Sequence, residues 1–208
     1  MLIQPNPIEP DEIVAGCIAI YKNIWSDSKE TIQTIEDVTN DPTSGLFFKQ
    51  AVTLGDVEQN KISNQARTNS DLYLSEQAHK NEKFRKIHNR FYETVFATSK
   101  AYKKLMNIEE EIYFAEGFNL LKYKGGQEYT AHYDGGTISG RSISPILYLN
   151  DDYEGGELEF VNFNLKIKPK AGTLYLFPSN YPYRHIAHPV TNGTKYAIVT
   201  WLHDRPAG

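Results

Sequence analysis

The feature that most constrains this chain is a change of hydrophobic period near residue 108. From 75 to about 106 the apolar residues Phe84, Ile87, Phe91, Val95 and Tyr102 recur in steps compatible with one helical face, the repeat of an amphipathic helix. After 108 the texture becomes short β-branched and aromatic segments, at 112–123, 129–133, 142–149, 157–161, 164–167, 173–177, 184–188 and 195–202. Gly135-Gly136, Gly155-Gly156 and Asn192-Gly193 punctuate them and act as turn signals. Helices first and strands after predict an α+β domain in which helices back one face of a β-sandwich. A chain of 208 residues with 40% hydrophobic content can bury one sizeable core and is short for two. Residues 1–208 are therefore expected to form one domain, with N-terminal strands, a lid loop and supporting helices over 1–107 and a β-rich core over 108–204.

Ahead of the long helix, 17–25 reads as a strand and 27–38 as a helix, with Asp27 and Glu30 in capping-box spacing and Asp41-Pro42 as its stop. Residues 53–70 are polar, follow neither period and exceed the usual connector, so they are expected to act as a mobile lid. Cys17 is the only cysteine, which excludes an intrachain disulfide and reads as a small buried apolar residue. The apolar run around it is too short to span a membrane, and Asp11 and Glu12 precede it where a signal peptide would carry basic residues. The expectation is a cytoplasmic protein without a membrane partner. A net charge of −4 offers no basic field for phosphate backbones, which disfavours nucleic acid and leaves a protein or small-molecule partner.

Two residues carry the first chemical signal. In AHYDGG, His132 and Asp134 are separated by one residue and so project from the same face of an extended strand. One more histidine would complete the two-histidine, one-carboxylate facial triad that holds non-haem Fe(II) and leaves three positions open. Downstream, Tyr183 to Leu202 reads YRHIAHPVTNGTKYAIVTWL, with His185 four residues before Pro189 and ten before Lys195.

This order of His-x-Asp, distal His and Lys resembles the iron and 2-oxoglutarate dependent dioxygenases, specifically the prolyl 4-hydroxylase family. The resemblance runs over 116–202 and includes Tyr123, the YLN of Tyr148 to Asn150, the GGEL of Gly155 to Leu158 and the FPS of Phe177 to Ser179. It implies a double-stranded β-helix, a jelly-roll core backed by the N-terminal helices, with the metal in its open mouth. It also implies His185 as third ligand, Lys195 as anchor for the far carboxylate of 2-oxoglutarate, and Tyr123 and Tyr148 as hydrogen-bond donors to that cosubstrate. The implied cofactors are Fe(2+), 2-oxoglutarate and O2, with ascorbate as reductant. The implied activity is like that of procollagen-proline 4-dioxygenase, hydroxylating a prolyl residue of a peptide or protein with release of succinate and CO2. Arg141, Trp201 and Tyr129 are placed by the resemblance near the mouth as substrate contacts. Val199 stands where some relatives carry a cosubstrate-binding threonine, and Thr200 is its neighbour.

Strand parity tests the Lys195 assignment separately. Counting by twos puts Lys195, Ala197, Val199 and Trp201 on one face and Tyr196, Ile198, Thr200 and Leu202 on the other. A lysine among small and aromatic side chains needs an anion. His188 has the opposite parity to His185 and reads as no ligand; His88 reads as packed, His79 and His203 as surface, and Asp151 and Asp152 as a solvated turn. Competing functions are the same chemistry on another amino-acid side chain or a small metabolite, a nucleic-acid dealkylase, and a non-catalytic jelly-roll binding module. The acidic balance and the single Lys195 argue against the dealkylase, and the complete ligand set argues against the binding module.

Overall fold

The structure, a computed structural model, describes residues 6–51, 66–112, 114–135 and 140–204. The first half runs β1 (Glu12–Val14), β2 (Ile18–Tyr21), α1 (Ser28–Asn40), β3 (Lys49–Gln50), β4 (Ser70–Tyr73), α2 (Leu74–Gln77) and α3 (Glu82–Leu105). Strands fill the second half: β5 (Phe114–Ala115), β6 (Asn119–Lys124), β7 (Tyr129–His132), β8 (Arg141–Tyr148), β9 (Glu154–Gly155), β10 (Leu158–Phe160) and β11 (Leu165–Ile167). The last are β12 (Thr173–Pro178), β13 (His185–Ala187), β14 (Val190–Asn192), β15 (Thr194–Val199) and β16 (Leu202–His203).

The major sheet has the order β1-β2-β12-β8-β15-β6-β4-β3, with β16 and β5 attached beyond β8. A minor sheet, β11-β10-β13-β7, and a β14-β9 pair lie apart from it. Strands from both sides of residue 107 thus pair in one sheet. Alternation along each central strand sends its side chains to two cores. Tyr21, Leu147, Leu174, Leu176, Tyr196 and Ile198 pack with the helix residues Phe84, Phe91 and Tyr102. Ile18, Ile20, Tyr148, Tyr175, Phe177 and Ala197 pack instead with Leu158 and Phe160 of the minor sheet. The expected α+β jelly-roll arrangement with helices on one face is what the strands form, with the sheets left open at their edges.

The helical stripe resolves into α2 and α3, because Asn81 starts a new helix by accepting hydrogen bonds from the amides of Lys83 and Phe84. Each large side chain that α3 buries contributes about 1.5–3 kcal/mol relative to exposure. The capping box expected at Asp27 does not form. Asp27 occupies the N-cap of α1 without a side-chain cap bond, since its carboxylate pairs with Arg90 of α3 at 2.6 Å. Arg90 also covers the Trp25 ring at 4.2 Å, so a charge spaced to cap one helix ties two together.

The expected lid divides. Residues 53–65 of it lie outside the described residues. Its C-terminal end is not a loose connector: the Thr68 amide donates to the Glu128 carbonyl at 3.0 Å and the Thr130 amide to the Ala66 carbonyl at 2.9 Å. β4 then pairs with β6, Ser70 opposite Lys122. Backbone groups this close to β6 and β7 find partners in them, and the polar side chains gave no sign of it. Among the described residues, no helix is long and apolar enough to cross a membrane.

Candidate active site

His132 ends β7, Asp134 follows it, and His185 opens β13. The two strands are antiparallel, with His185 directly opposite His132, so residues distant in sequence become neighbours across one ladder. One ligand atom from each of His132, Asp134 and His185 lies within 4.8 Å of the others. His132 Nε2 stands 3.7 Å from Asp134 Oδ1, and His185 Nε2 stands 3.7 Å from Asp134 Oδ2. These separations are too long for hydrogen bonds and leave room for one small cation among the three.

Tautomer and charge suit a metal. His132 Nδ1 is 2.7 Å from the Thr130 carbonyl and His185 Nδ1 is 3.1 Å from the Tyr183 carbonyl. A carbonyl only accepts, so each Nδ1 donates and each Nε2 offers its lone pair to the centre. Burial, and then the neighbouring His132, hold the His185 imidazolium down to about 4, so no proton competes for that lone pair at neutral pH. Burial alone would raise the Asp134 carboxyl, but His185, His132 and a hydrogen bond with Ser144 hold it well below the usual carboxylate range. The Ser144 hydroxyl is in turn 2.8 Å from that of Ser179, both fully buried.

Lys195 is 1% exposed. Its ammonium donates to the Gly156 carbonyl at 3.0 Å and sits over the rings of Tyr123 at 4.4 Å and Tyr148 at 5.9 Å. No carboxylate pairs with it among the described residues, and burial, with Lys168 nearby, brings its pKa down to about 7. Burial also pushes the phenols of Tyr123 and Tyr148 up, so both keep their protons as donors. Beside them the hydroxyl of Tyr153 is buried and without a hydrogen-bond partner. A cation without a paired carboxylate, 6.0 Å from the ring centroid of a tyrosine whose hydroxyl is orphaned, fits a carboxylate-bearing cosubstrate. Gly156, at φ +66, lies under the Tyr153 ring, where a Cβ would stand 2.8 Å from Cε2; the second glycine of GGEL is a close-approach glycine.

A cavity of about 520 Å³, lined by Arg67, Tyr73, Glu116, Arg141 and Trp201, among others, adjoins the triad through Arg141. Arg141 lies here, but its guanidinium is engaged internally. It forks onto Glu116 at 2.6 and 2.7 Å, donates to the Asp134 carbonyl at 3.1 Å and covers the Trp201 ring at 3.8 Å. Tyr129 stacks on the ligand ring of His132 at 3.5 Å and so supports a ligand. His203 corrects the surface reading: its side chain is 12% exposed, its Nε2 is 2.6 Å from Glu116 Oε1, and its ring stacks on Phe114 at 4.2 Å. Glu116, just past β5 and distant in sequence, draws it inward. Thr200 is fully buried and donates to the Glu116 carbonyl at 2.8 Å.

His188 stands apart from the triad, paired with Glu159 at 2.6 Å. His88 packs on Phe118 at 4.7 Å and His79 is exposed. Sequence reasoning missed Ser144, Glu116 and Tyr153. Ser144 had a signal: it shares the parity of Tyr148 on β8 and therefore faces the barrel interior. Glu116 had none, because its partners come from two other segments.

Residues 118–203 match the 2OG-Fe(II) oxygenase superfamily. A probable prolyl 4-hydroxylase of Arabidopsis thaliana is 35% identical over 119 residues, 43% of this chain and 41% of that protein. The chain spans about half or less of the length of the curated relatives it matches here, 50% of a second Arabidopsis prolyl 4-hydroxylase. Among solved structures, a Trichoplax adhaerens prolyl hydroxylase in complex with a hypoxia inducible factor peptide fragment superposes with TM-score 0.70 at 22% identity, over 91% of this chain and 84% of that one. A viral collagen prolyl hydroxylase from Paramecium Bursaria Chlorella virus-1, solved with 2OG, gives 0.62 at 22% identity over 89% and 95%. The structural likenesses carry the fold, and the sequence likenesses, to the 2OG-Fe(II) oxygenase superfamily and to prolyl 4-hydroxylases, carry the motifs.

Proposed function

We propose that this protein is an Fe(II)- and 2-oxoglutarate-dependent dioxygenase that hydroxylates a prolyl residue of a peptide or protein. The observation that carries the reading is that the His132, Asp134 and His185 cluster and the buried Lys195 ammonium occur in one jelly-roll interior, with an aromatic-walled cavity adjoining the cluster. The sequence relatives named as prolyl 4-hydroxylases, and the fold neighbour bound to a peptide, support a peptide substrate.

Iron with 2-oxoglutarate and dioxygen supplies the power to oxidise an unactivated C–H bond, with succinate and CO2 as co-products. The chain supplies aim and shielding. His132, Asp134 and His185 would hold the iron through two neutral imidazoles and one carboxylate. Lys195 would bind the far carboxylate of the cosubstrate, and Tyr123 and Tyr148 keep hydrogen-bond donors beside it. Trp201 gives that cavity a flat apolar wall that suits a pyrrolidine ring. The fork between Arg141 and Glu116 fixes that wall and the Asp134 backbone in one frame. Tyrosines around Lys195 exclude water from the pocket floor.

The test is mass spectrometry of a proline-containing peptide library incubated with enzyme, Fe(II), 2-oxoglutarate and ascorbate. The expected result is a gain of one oxygen on proline, matched by one succinate per product. Oxygen gain on another side chain, or turnover only with a free metabolite, would move the substrate and keep the cofactors.

A further inference from the structure

Tyr153 sits in the DYEGGEL stretch between β8 and β10, outside the set of residues that the sequence motifs single out. It is 6% exposed, and its hydroxyl is the one buried side-chain oxygen or nitrogen among the described residues with no hydrogen-bond partner. Buried hydroxyls are ordinarily satisfied, because an unpaired one forfeits its hydration without return. Its ring packs in the interior cluster with Leu121, Tyr123, Val190 and Val199.

Placement relative to Lys195 gives that hydroxyl a purpose. The Tyr153 ring lies against Gly156, the residue whose carbonyl takes the Lys195 ammonium. The ring centroid is 6.0 Å from Lys195 Nζ. Lys168 also holds the tyrosine, with its ammonium 3.8 Å from the ring centroid and 2.8 Å from the Tyr153 carbonyl. Gly193 leaves no slack behind it, since a Cβ there would stand 3.1 Å from Tyr153 Cα. The side chain is held in place with a donor that no described residue uses, next to a cation that no carboxylate among the described residues meets at ion-pair distance.

We propose that Tyr153 is a further cosubstrate-positioning residue, its hydroxyl donating a hydrogen bond to the far carboxylate of a bound five-carbon 2-oxo diacid while Lys195 pairs with that carboxylate's charge. Burial raises the phenol, so the proton stays on the oxygen as the donation requires. The assignment rests on the dioxygenase reading above and adds a residue to its cosubstrate pocket.

The experiment is calorimetric titration of the full chain loaded with Mn(II), using 2-oxoglutarate and, at high concentration, 2-oxobutyrate, which carries the same chelating end without the far carboxylate. In Tyr153→Phe the Kd for 2-oxoglutarate is expected to rise about tenfold, the loss of one hydrogen bond to a charged group. Binding of Mn(II) and of 2-oxobutyrate stays unchanged, and the thermal midpoint of the ligand-free variant equals or exceeds that of the wild type. A rise in the 2-oxoglutarate Kd of less than about threefold, or equal weakening toward both oxo acids, overturns the role of Tyr153. If the wild-type protein itself binds no 2-oxoglutarate with Mn(II) present, the dioxygenase reading falls and this assignment with it. If the wild type binds and the variant binds equally well, Tyr153 alone falls.

Discussion

His185 and His132 stand directly opposite each other in the β13–β7 pair, with ring centroids 4.2 Å apart. A slip of one residue in that ladder would turn one ring out of the barrel. The pairing makes His185, and not His188, the partner of His132. His185→Ala is expected to abolish turnover and to weaken divalent-metal binding strongly, whereas His188→Ala, which leaves Glu159 paired with Lys166, leaves both near wild type. Calorimetry with Mn(II) decides it, and a variant pair with the opposite pattern would reverse the ligand assignment.

Among the described residues no carboxylate lies at ion-pair distance from Lys195, so a bound cosubstrate is expected to supply one. Leaving that carboxylate buried without its cation costs about 3–5 kcal/mol. Lys195→Ala should therefore raise the 2-oxoglutarate requirement by orders of magnitude, with Lys195→Arg recovering part of the loss. An unchanged affinity in the alanine variant would remove the lysine from the pocket.

The same burial makes cosubstrate binding sensitive to pH. Lys195 is brought down to about 7 in the free protein, and a bound carboxylate favours its charged form. Affinity for 2-oxoglutarate should be flat below pH 7 and fall by up to about tenfold per pH unit above it. Stability runs the other way. The folded pKa lies below the unfolded value of about 10.4, so the unfolded chain binds more protons in between, and the ligand-free protein gains stability as pH rises from 7. Denaturation of wild type against Lys195→Met across that range isolates the effect; a difference that does not change with pH would show that the lysine titrates normally.

A hydrogen bond with Ser144 helps to hold the Asp134 carboxyl in its charged form. Removing the Ser144 hydroxyl leaves the ligands in place but loosens one of them, and groups that orient a ligand typically account for 10–100-fold in metal affinity or activity. Ser144→Ala should fall in about that range with little change in thermal midpoint. Metal affinity and activity equal to wild type would show that Ser179 and the histidines hold Asp134 unaided.

Arg141 and Glu116 join the cavity to the metal ligands, so Glu116→Gln should act on turnover more than on cosubstrate affinity. The amide keeps the size of the side chain and loses the charge that holds both Arg141 and His203. The expected result is a lower kcat on peptide with the 2-oxoglutarate Kd unchanged. A matching loss in both would place Glu116 in the cosubstrate pocket instead.

Local periodicity and spacing were enough to specify much of this protein. The three- and four-residue steps through Phe84, Ile87 and Phe91 made a helix with one buried face. Alternation set Lys195 apart from Tyr196, because a strand sends successive side chains to opposite faces whatever its neighbours are. His132 and Asp134 shared a face for the same reason. Only the tertiary structure decided where groups from distant segments meet. Asp27 had capping spacing but was taken by Arg90; His203 had the look of a surface histidine but was drawn in by Glu116. Ser144 reached Asp134, and Tyr153 came to rest beside Lys195, through strand pairings and a turn whose register no local pattern states. Periodicity records which way a side chain points, and long-range packing settles what it finds there.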